Sequence, residues 1–195
     1  MTFPMPPVST PDLAWLHQRL TIDAEAAGLL DVAYRILDTP VGPLLLAATE
    51  AGLVRVAYVA DSLDDVLDEL ATRISPRILE APARLDTAAA QLDEYFEGAR
   101  TSFDLPLDLR LATGFRRDVI THLPDIAYGH TASYAEVAEA AGSPRAVRAV
   151  GTACAKNPLP VVIPCHRVVR SDGGIGQYAG GVDAKRILLS LETAA

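Results

Sequence analysis

Apolar positions follow two different rhythms along this chain. Between Ala33 and Val59 they form short runs: Tyr34-Arg35-Ile36-Leu37, Leu44-Leu45-Leu46-Ala47 and Leu53-Val54-Arg55-Val56-Ala57-Tyr58-Val59. Pro40-Val41-Gly42-Pro43 and Glu50-Ala51-Gly52 separate the runs, which predicts three hairpin-connected strands. Three-to-four-residue spacing follows at Leu63–Ile74 and Leu85–Phe96, predicting two helices, the second ended by Gly98. Phe103-Asp104-Leu105-Pro106-Leu107-Asp108-Leu109 alternates, and its proline limits it to an edge strand. Upstream, residues 1–10 are rich in Pro, Ser and Thr and are expected to be disordered. Thr10-Pro11-Asp12 then opens a helix with Leu13, Leu16 and Leu20 on one face.

From Gly114 the pattern is helical. Phe115, Val119, Ile120 and Leu123 make one stripe, and Ser133 and Glu136 have capping-box spacing before the next helix. Gly142-Ser143-Pro144 breaks that helix and Arg145 through Lys156 can form another, a helix-turn-helix pattern. Ala146, Ala149, Gly151 and Ala153 would let the second helix approach another surface closely, with Arg145, Arg148 and Lys156 projecting from it. The fold expected is α+β: an extension over 1–31, a small α/β domain with an antiparallel sheet over 32–111, and a mainly helical domain over 112–195.

Charge sharpens this division. The net charge is −8, yet residues 1–111 hold 18 acidic against 8 basic side chains, and residues 112–195 hold 9 basic against 7 acidic. A mildly basic half beside an acidic one would orient the molecule near a polyanion; ordinary surface variation is the competing explanation. No stretch of about 18 apolar residues is present, so no membrane span is expected. The N-terminus lacks the pattern of a signal peptide. Only Cys154 and Cys165 are present, which fits a reducing cytoplasm. With His17, His122, His130 and His166 scattered, no metal site is expected.

The candidate chemistry lies in Ile163-Pro164-Cys165-His166-Arg167-Val168. Cysteine attacks as thiolate, and an ordinary thiol pKa of about 8.5 leaves little of it at neutral pH. The neighbouring His166 and Arg167 are groups able to help. A buried structural thiol is the commoner fate of a free cysteine, and Cys154, with no histidine beside it, fits that description.

Taken together, Ser133-Tyr134, Arg148-Ala149-Val150-Gly151, Asn157-Pro158 through Val168, Gly176-Gln177-Tyr178-Ala179-Gly180-Gly181 and Lys185-Arg186 through Glu192 resemble the O6-alkylguanine-DNA alkyltransferases, the methylated-DNA–protein-cysteine methyltransferases. Thr39-Pro40-Val41-Gly42-Pro43-Leu44 and Tyr95-Phe96-Glu97-Gly98 extend the likeness more loosely into the N-terminal half. The resemblance implies that Cys165 takes the alkyl group from O6 of guanine and keeps it, so each molecule acts once and no cofactor is needed. It implies that His166 is the base, working through water and backed by Glu192, and that Tyr134 donates a hydrogen bond to the purine. Val168, Ile175, Gly176, Tyr178, Ala179 and Gly180 would form the pocket, with Cys154 on its wall and the Tyr178 and Ala179 amides near O6. Asn157 would be a hinge before the active-site segment, and Arg167 a structural group.

The implied partner is double-stranded DNA carrying O6-alkylguanine, with O4-alkylthymine a poorer substrate. Arg148 would replace the everted base in the minor groove, beside Ala149 and Arg145. The protein is expected to be a monomer, with cooperative binding along DNA left open. Family members often carry serine where Ala179 stands. The alternatives are an alkyltransferase-like lesion binder, an unrelated Cys–His transferase and a helix-turn-helix regulator. Cys165 argues against the first, and Arg148 with its helices would be unexplained by the second.

Overall fold

The computed structural model describes residues 10–58 and 63–193 of the 195-residue chain. Helix α1 (Thr10–Ala26) leads into strands β1 (Val32–Leu37), β2 (Leu44–Thr49) and β3 (Gly52–Tyr58). Helix α2 (Leu63–Arg73), strand β4 (Ile78–Glu80) and helix α3 (Asp86–Phe96) follow. The second half contains α4 (Phe115–His122), β5 (Ala132–Ser133), α5 (Tyr134–Ala140), α6 (Val147–Ala155), β6 (Val168–Val169) and α7 (Gly181–Thr193). The disorder expected over 1–10 falls almost wholly outside the described residues.

The larger sheet runs β3-β2-β1-β4. β2 lies antiparallel to both β1 and β3, as the hairpin signals require. β4 differs from the purely antiparallel sheet expected: it adds parallel to β1, pairing Val32 with Ile78. Three residues behind Pro76 are too short a run to read as a strand. β2 is buried along its whole length. Successive side chains alternate faces, so Leu45 and Ala47 meet Val66 and Leu70 of α2, and Leu44 and Leu46 meet Leu92 and Tyr95 of α3. This second face continues without interruption into Val119, Ile120, Leu123, Val150 and Cys165. One apolar core therefore joins the two halves.

Phe103–Leu109 forms only a single bridge, Leu107 to Leu53, and not an edge strand. Pro106 has no N–H to donate, but its carbonyl accepts from Leu53 N at 2.8 Å. A side chain on Gly52 (φ +132°) would sit 2.2 Å from that carbonyl oxygen, which explains the glycine. The remainder is held by the Gln91 side chain, which exchanges two hydrogen bonds with the Asp104 backbone.

Helix α1 packs through Ala24, and His17 Nε2 lies 2.6 Å from the Glu80 carbonyl oxygen. Its expected stripe of Leu13, Leu16 and Leu20 remains exposed. The helix-turn-helix is present as α5 and α6. Ser133 caps α5 with the reciprocal Glu136 bond. The second helix starts at Val147 and not at Arg145, because Ser143–Ala146 closes as a turn (Ala146 N to Ser143 O, 2.8 Å). None of the helices among the described residues is long and apolar enough to cross a membrane.

Candidate active site

Three local devices bring the sequence-marked residues together. The first is the short parallel pair β5–β6, which registers Ala132 with Val168 and Ser133 with Val169. It sets Tyr134, the first residue of α5, beside the segment that follows Cys165. The second is Asn157, whose amide donates to Ile163 O at 2.9 Å while its Oδ1 accepts from Leu159 N at 3.0 Å. Between those anchors Val161 is turned to φ +73°, a costly conformation for a β-branched residue. The third is a 3-10 turn over Cys165–Arg167, which buries three consecutive chemically distinct side chains.

Cys165 is 2% exposed. Burial pushes its thiol up to about 11, against opposing pulls from the Asn157 amide, the Lys185 charge and its own backbone N–H. Arg167, a candidate activator in the sequence, points elsewhere: its guanidinium engages Glu192 and donates to Ile126 O at 2.6 Å. The resting sulfur is therefore a protonated thiol that needs a base.

His166 is wholly buried, and its Nε2 meets Glu192 Oε1 at 2.8 Å. Glu192 lies in the last turn of α7 and is buried against the site. Its carboxylate accepts from Tyr95 Oη (2.7 Å), Arg167 Nε and Nη2 (2.9 and 3.0 Å) and Gly129 N (3.2 Å). Burial alone would raise the Glu192 pKa. The bonds from His166 and Arg167 outweigh it and hold the group at about 2. With Nε2–H committed to a carboxylate, the neutral ring carries its acceptor at Nδ1. That atom is buried without a hydrogen-bond partner among the described residues. Burial lowers the imidazole pKa, against the pull of Glu192, which keeps the ring available as a base.

The loop before α7 closes the site. A side chain on Gly176 would sit 2.9 Å from the Tyr134 hydroxyl, and one on Gly180 would sit 2.4 Å from the Tyr58 ring. Tyr58 and Tyr178 meet edge-on with their hydroxyls 3.3 Å apart, and the Tyr178 ring stands edge-on to His166. Val168 is buried, and its carbonyl accepts from the buried Lys185 Nζ at 2.6 Å. Cys154 is buried on the inner face of α6, and burial pushes its thiol up to about 12. Ile175 is half-buried in the loop. Ala179 is exposed and borders a cleft of about 550 Å³ shared with Arg55, Tyr58, Lys156 and Asn157. Arg145, Arg148 and Ala149 stand apart from this cluster, exposed on the outer side of α6 and the turn before it.

Sequence reasoning missed Tyr58, Tyr95 and Lys185. The two tyrosines come from the N-terminal half: Tyr58 lies 120 positions before Tyr178, and Tyr95 lies 71 before His166 and 97 before Glu192. Their apolar spacing marked only core.

A buried thiol next to a histidine–carboxylate pair marks the site of a cysteine-dependent enzyme. Two family models match the chain: the ribonuclease-like domain of 6-O-methylguanine DNA methyltransferase over residues 32–109, and the DNA binding domain of the same family over 114–194. The methylated-DNA–protein-cysteine methyltransferase of Methanosarcina barkeri is 42% identical over 159 residues, 82% of this chain and 96% of that relative. The Mycobacterium bovis protein of the same name is 40% identical over 83% of this chain and 92% of its own length. The crystal structure of Mycobacterium tuberculosis O6-methylguanine methyltransferase superposes with a TM-score of 0.74 at 38% identity, covering 84% of this chain and 93% of that one. The chain belongs to the methylated-DNA–protein-cysteine methyltransferase family and is an enzyme of that class.

Proposed function

We propose that the protein removes alkyl groups from O6 of guanine in duplex DNA, taking them irreversibly onto Cys165. The carrying observation is a buried thiol followed in the chain by a buried histidine, whose Nε2 is bonded to the Glu192 carboxylate and whose Nδ1 has no hydrogen-bond partner among the described residues. The thiol proton passes through a bridging water to His166 Nδ1. The sulfur attacks the alkyl carbon, and the carbon–O6 bond breaks with its electron pair left on the purine. Overall one S–H and one O–C bond are exchanged for one S–C and one purine N–H bond: the departing base takes up a proton and leaves as guanine, and His166 later returns its own proton to solvent. Held at about 2, Glu192 stays ionised throughout, so the proton stops at His166 and the carboxylate stabilises the imidazolium. Tyr134, beside Gly176 of the loop, donates to the purine as negative charge develops there. The thioether is a poor leaving group, so each molecule acts once.

A lesion inside the stack is reached only by everting its nucleotide. Exposed Arg148 on α6 is the group that fills the gap, and the small Ala149 and Gly151 allow the helix into the minor groove. A relative supports this partner: the Mycobacterium tuberculosis protein has been crystallised in complex with DNA, and that structure covers 83% of this chain at 38% identity. O4-alkylthymine is the poorer substrate.

Incubation with duplex O6-methylguanine should add one methyl group, about 14 Da, to the Cys165 peptide and none to Cys154. Modification of Cys154 instead, or of neither, overturns the reading. Cys165→Ser should bind DNA without reacting. Arg148→Ala should slow repair of duplex while reaction with free O6-benzylguanine is retained.

A further inference from the structure

Tyr95 is wholly buried on α3, and two separate observations describe its two ends. The ring packs among Phe96, Phe103 and Tyr128, with centroids 5.4, 5.3 and 6.1 Å away. Phenylalanine would serve that packing equally well. The hydroxyl is different. A buried O–H is costly without a partner, and this one donates to Glu192 Oε1 at 2.7 Å. The same oxygen meets His166 Nε2 at 2.8 Å, and the phenol oxygen and Nε2 are 3.4 Å apart. Tyr95, His166 and Arg167 thus converge on one carboxylate oxygen.

Building on the proposed alkyl transfer, we propose that Tyr95 is a positioning residue of the proton relay, supplied by the N-terminal half. Its hydroxyl fixes Glu192 Oε1 and shares that oxygen with His166, so that the imidazole presents an unprotonated Nδ1 to the thiol side. Each donor on Oε1 draws off part of its charge and weakens its hold on a proton at His166. Without the hydroxyl, Oε1 favours the imidazolium more strongly, and at neutral pH more of the base is already protonated. The carboxylate also loses one of the contacts that orient it.

Tyr95→Phe tests this, because it keeps the ring and deletes one oxygen. Transfer is measured with O6-benzylguanine, which needs no base eversion, across a pH series. The expected result is a rate at neutral pH about tenfold lower, the low end of the effect of a hydrogen bond to a charged group. The acid limb of the profile should move to higher pH, and the His166 titration followed by 15N NMR should move with it. Duplex binding should be unchanged. An unaltered limb and titration, whether the rate is unchanged or uniformly reduced, would show that Tyr95 only packs and would overturn the proposal. If the unsubstituted protein takes up neither this benzyl group nor the methyl group of duplex O6-methylguanine, the alkyl-transfer reading fails instead. A measurement on the unsubstituted protein guards against a variant that does not fold. Its His166 should be the Nε2–H tautomer, with an exchange-protected Tyr95 hydroxyl proton close to that N–H. An Nδ1–H tautomer sinks the idea whatever the variant does.

Discussion

Replacing Glu192 by glutamine should lower stability in a way that depends on pH. The substitution keeps the shape but removes the charge. It also turns an amide N–H₂ toward a site where Tyr95, His166, Arg167 and Gly129 all donate. The carboxyl titrates at about 2 in the folded protein, against an ordinary value of 4.5. That difference corresponds to about 3 kcal/mol of folding free energy at neutral pH. Breaking a buried ion pair from one side costs about 3–5 kcal/mol by general experience, so the two routes agree. Because the folded pKa is depressed, the contribution is complete above the unfolded value and is lost as pH falls from about 4.5 toward 2. Urea unfolding of both proteins at pH 7, 4.5 and 3 should show a deficit of about 3 kcal/mol for Glu192→Gln at the two higher values, falling to roughly half at pH 3. Acid losses from other groups are common to both proteins and cancel. A deficit below about 1 kcal/mol at pH 7, or one that does not change between pH 4.5 and 3, would refute the assignment of Glu192 as a charged, fully bonded group.

Three further outcomes follow from packing. Gly180→Ala places a methyl 2.4 Å from the Tyr58 ring and should slow benzyl transfer; Tyr58→Ala in the same chain should restore much of it, and no rescue would show that the contact is not the cause. Leu92→Ala removes a wholly buried side chain from the core shared by both halves and should cost about 2–5 kcal/mol in a single unfolding transition, read by denaturant titration at several probes. Methylation of Cys165 adds a carbon to a site that is 2% exposed and should destabilise the spent protein by about 1–3 kcal/mol, seen as a lower melting temperature than that of the unreacted protein.

Much of this molecule could be read from its residues because the informative signals are local. The hairpins around Gly42 and Gly52, the Ser133–Glu136 capping box and the break at Gly142 each announce themselves within a few positions. Cys165 and His166 are adjacent, and the family resemblance carried Glu192 and Tyr134 to them. What escaped depends on contacts between distant segments. β4 exists because β1 offers an edge, and Phe103–Leu109 makes a single bridge because Pro106 has no N–H to donate and Gln91 takes both backbone groups of Asp104. Arg167 reads as a possible activator of its neighbour until the fold turns it toward Glu192. Tyr95 looks like an ordinary core position, since helical spacing reports that a side chain is inside but not what its hydroxyl faces.

The buried, protonated state of Cys165 has a consequence for how the protein survives before use. Peroxides and soft electrophiles in the cell consume cysteines in proportion to their ionised fraction and their access to solvent. A sulfur held near 11 and only 2% exposed offers these scavengers almost nothing. If each molecule is spent once, as proposed, chemical quiet in the absence of its target matters as much as speed in its presence.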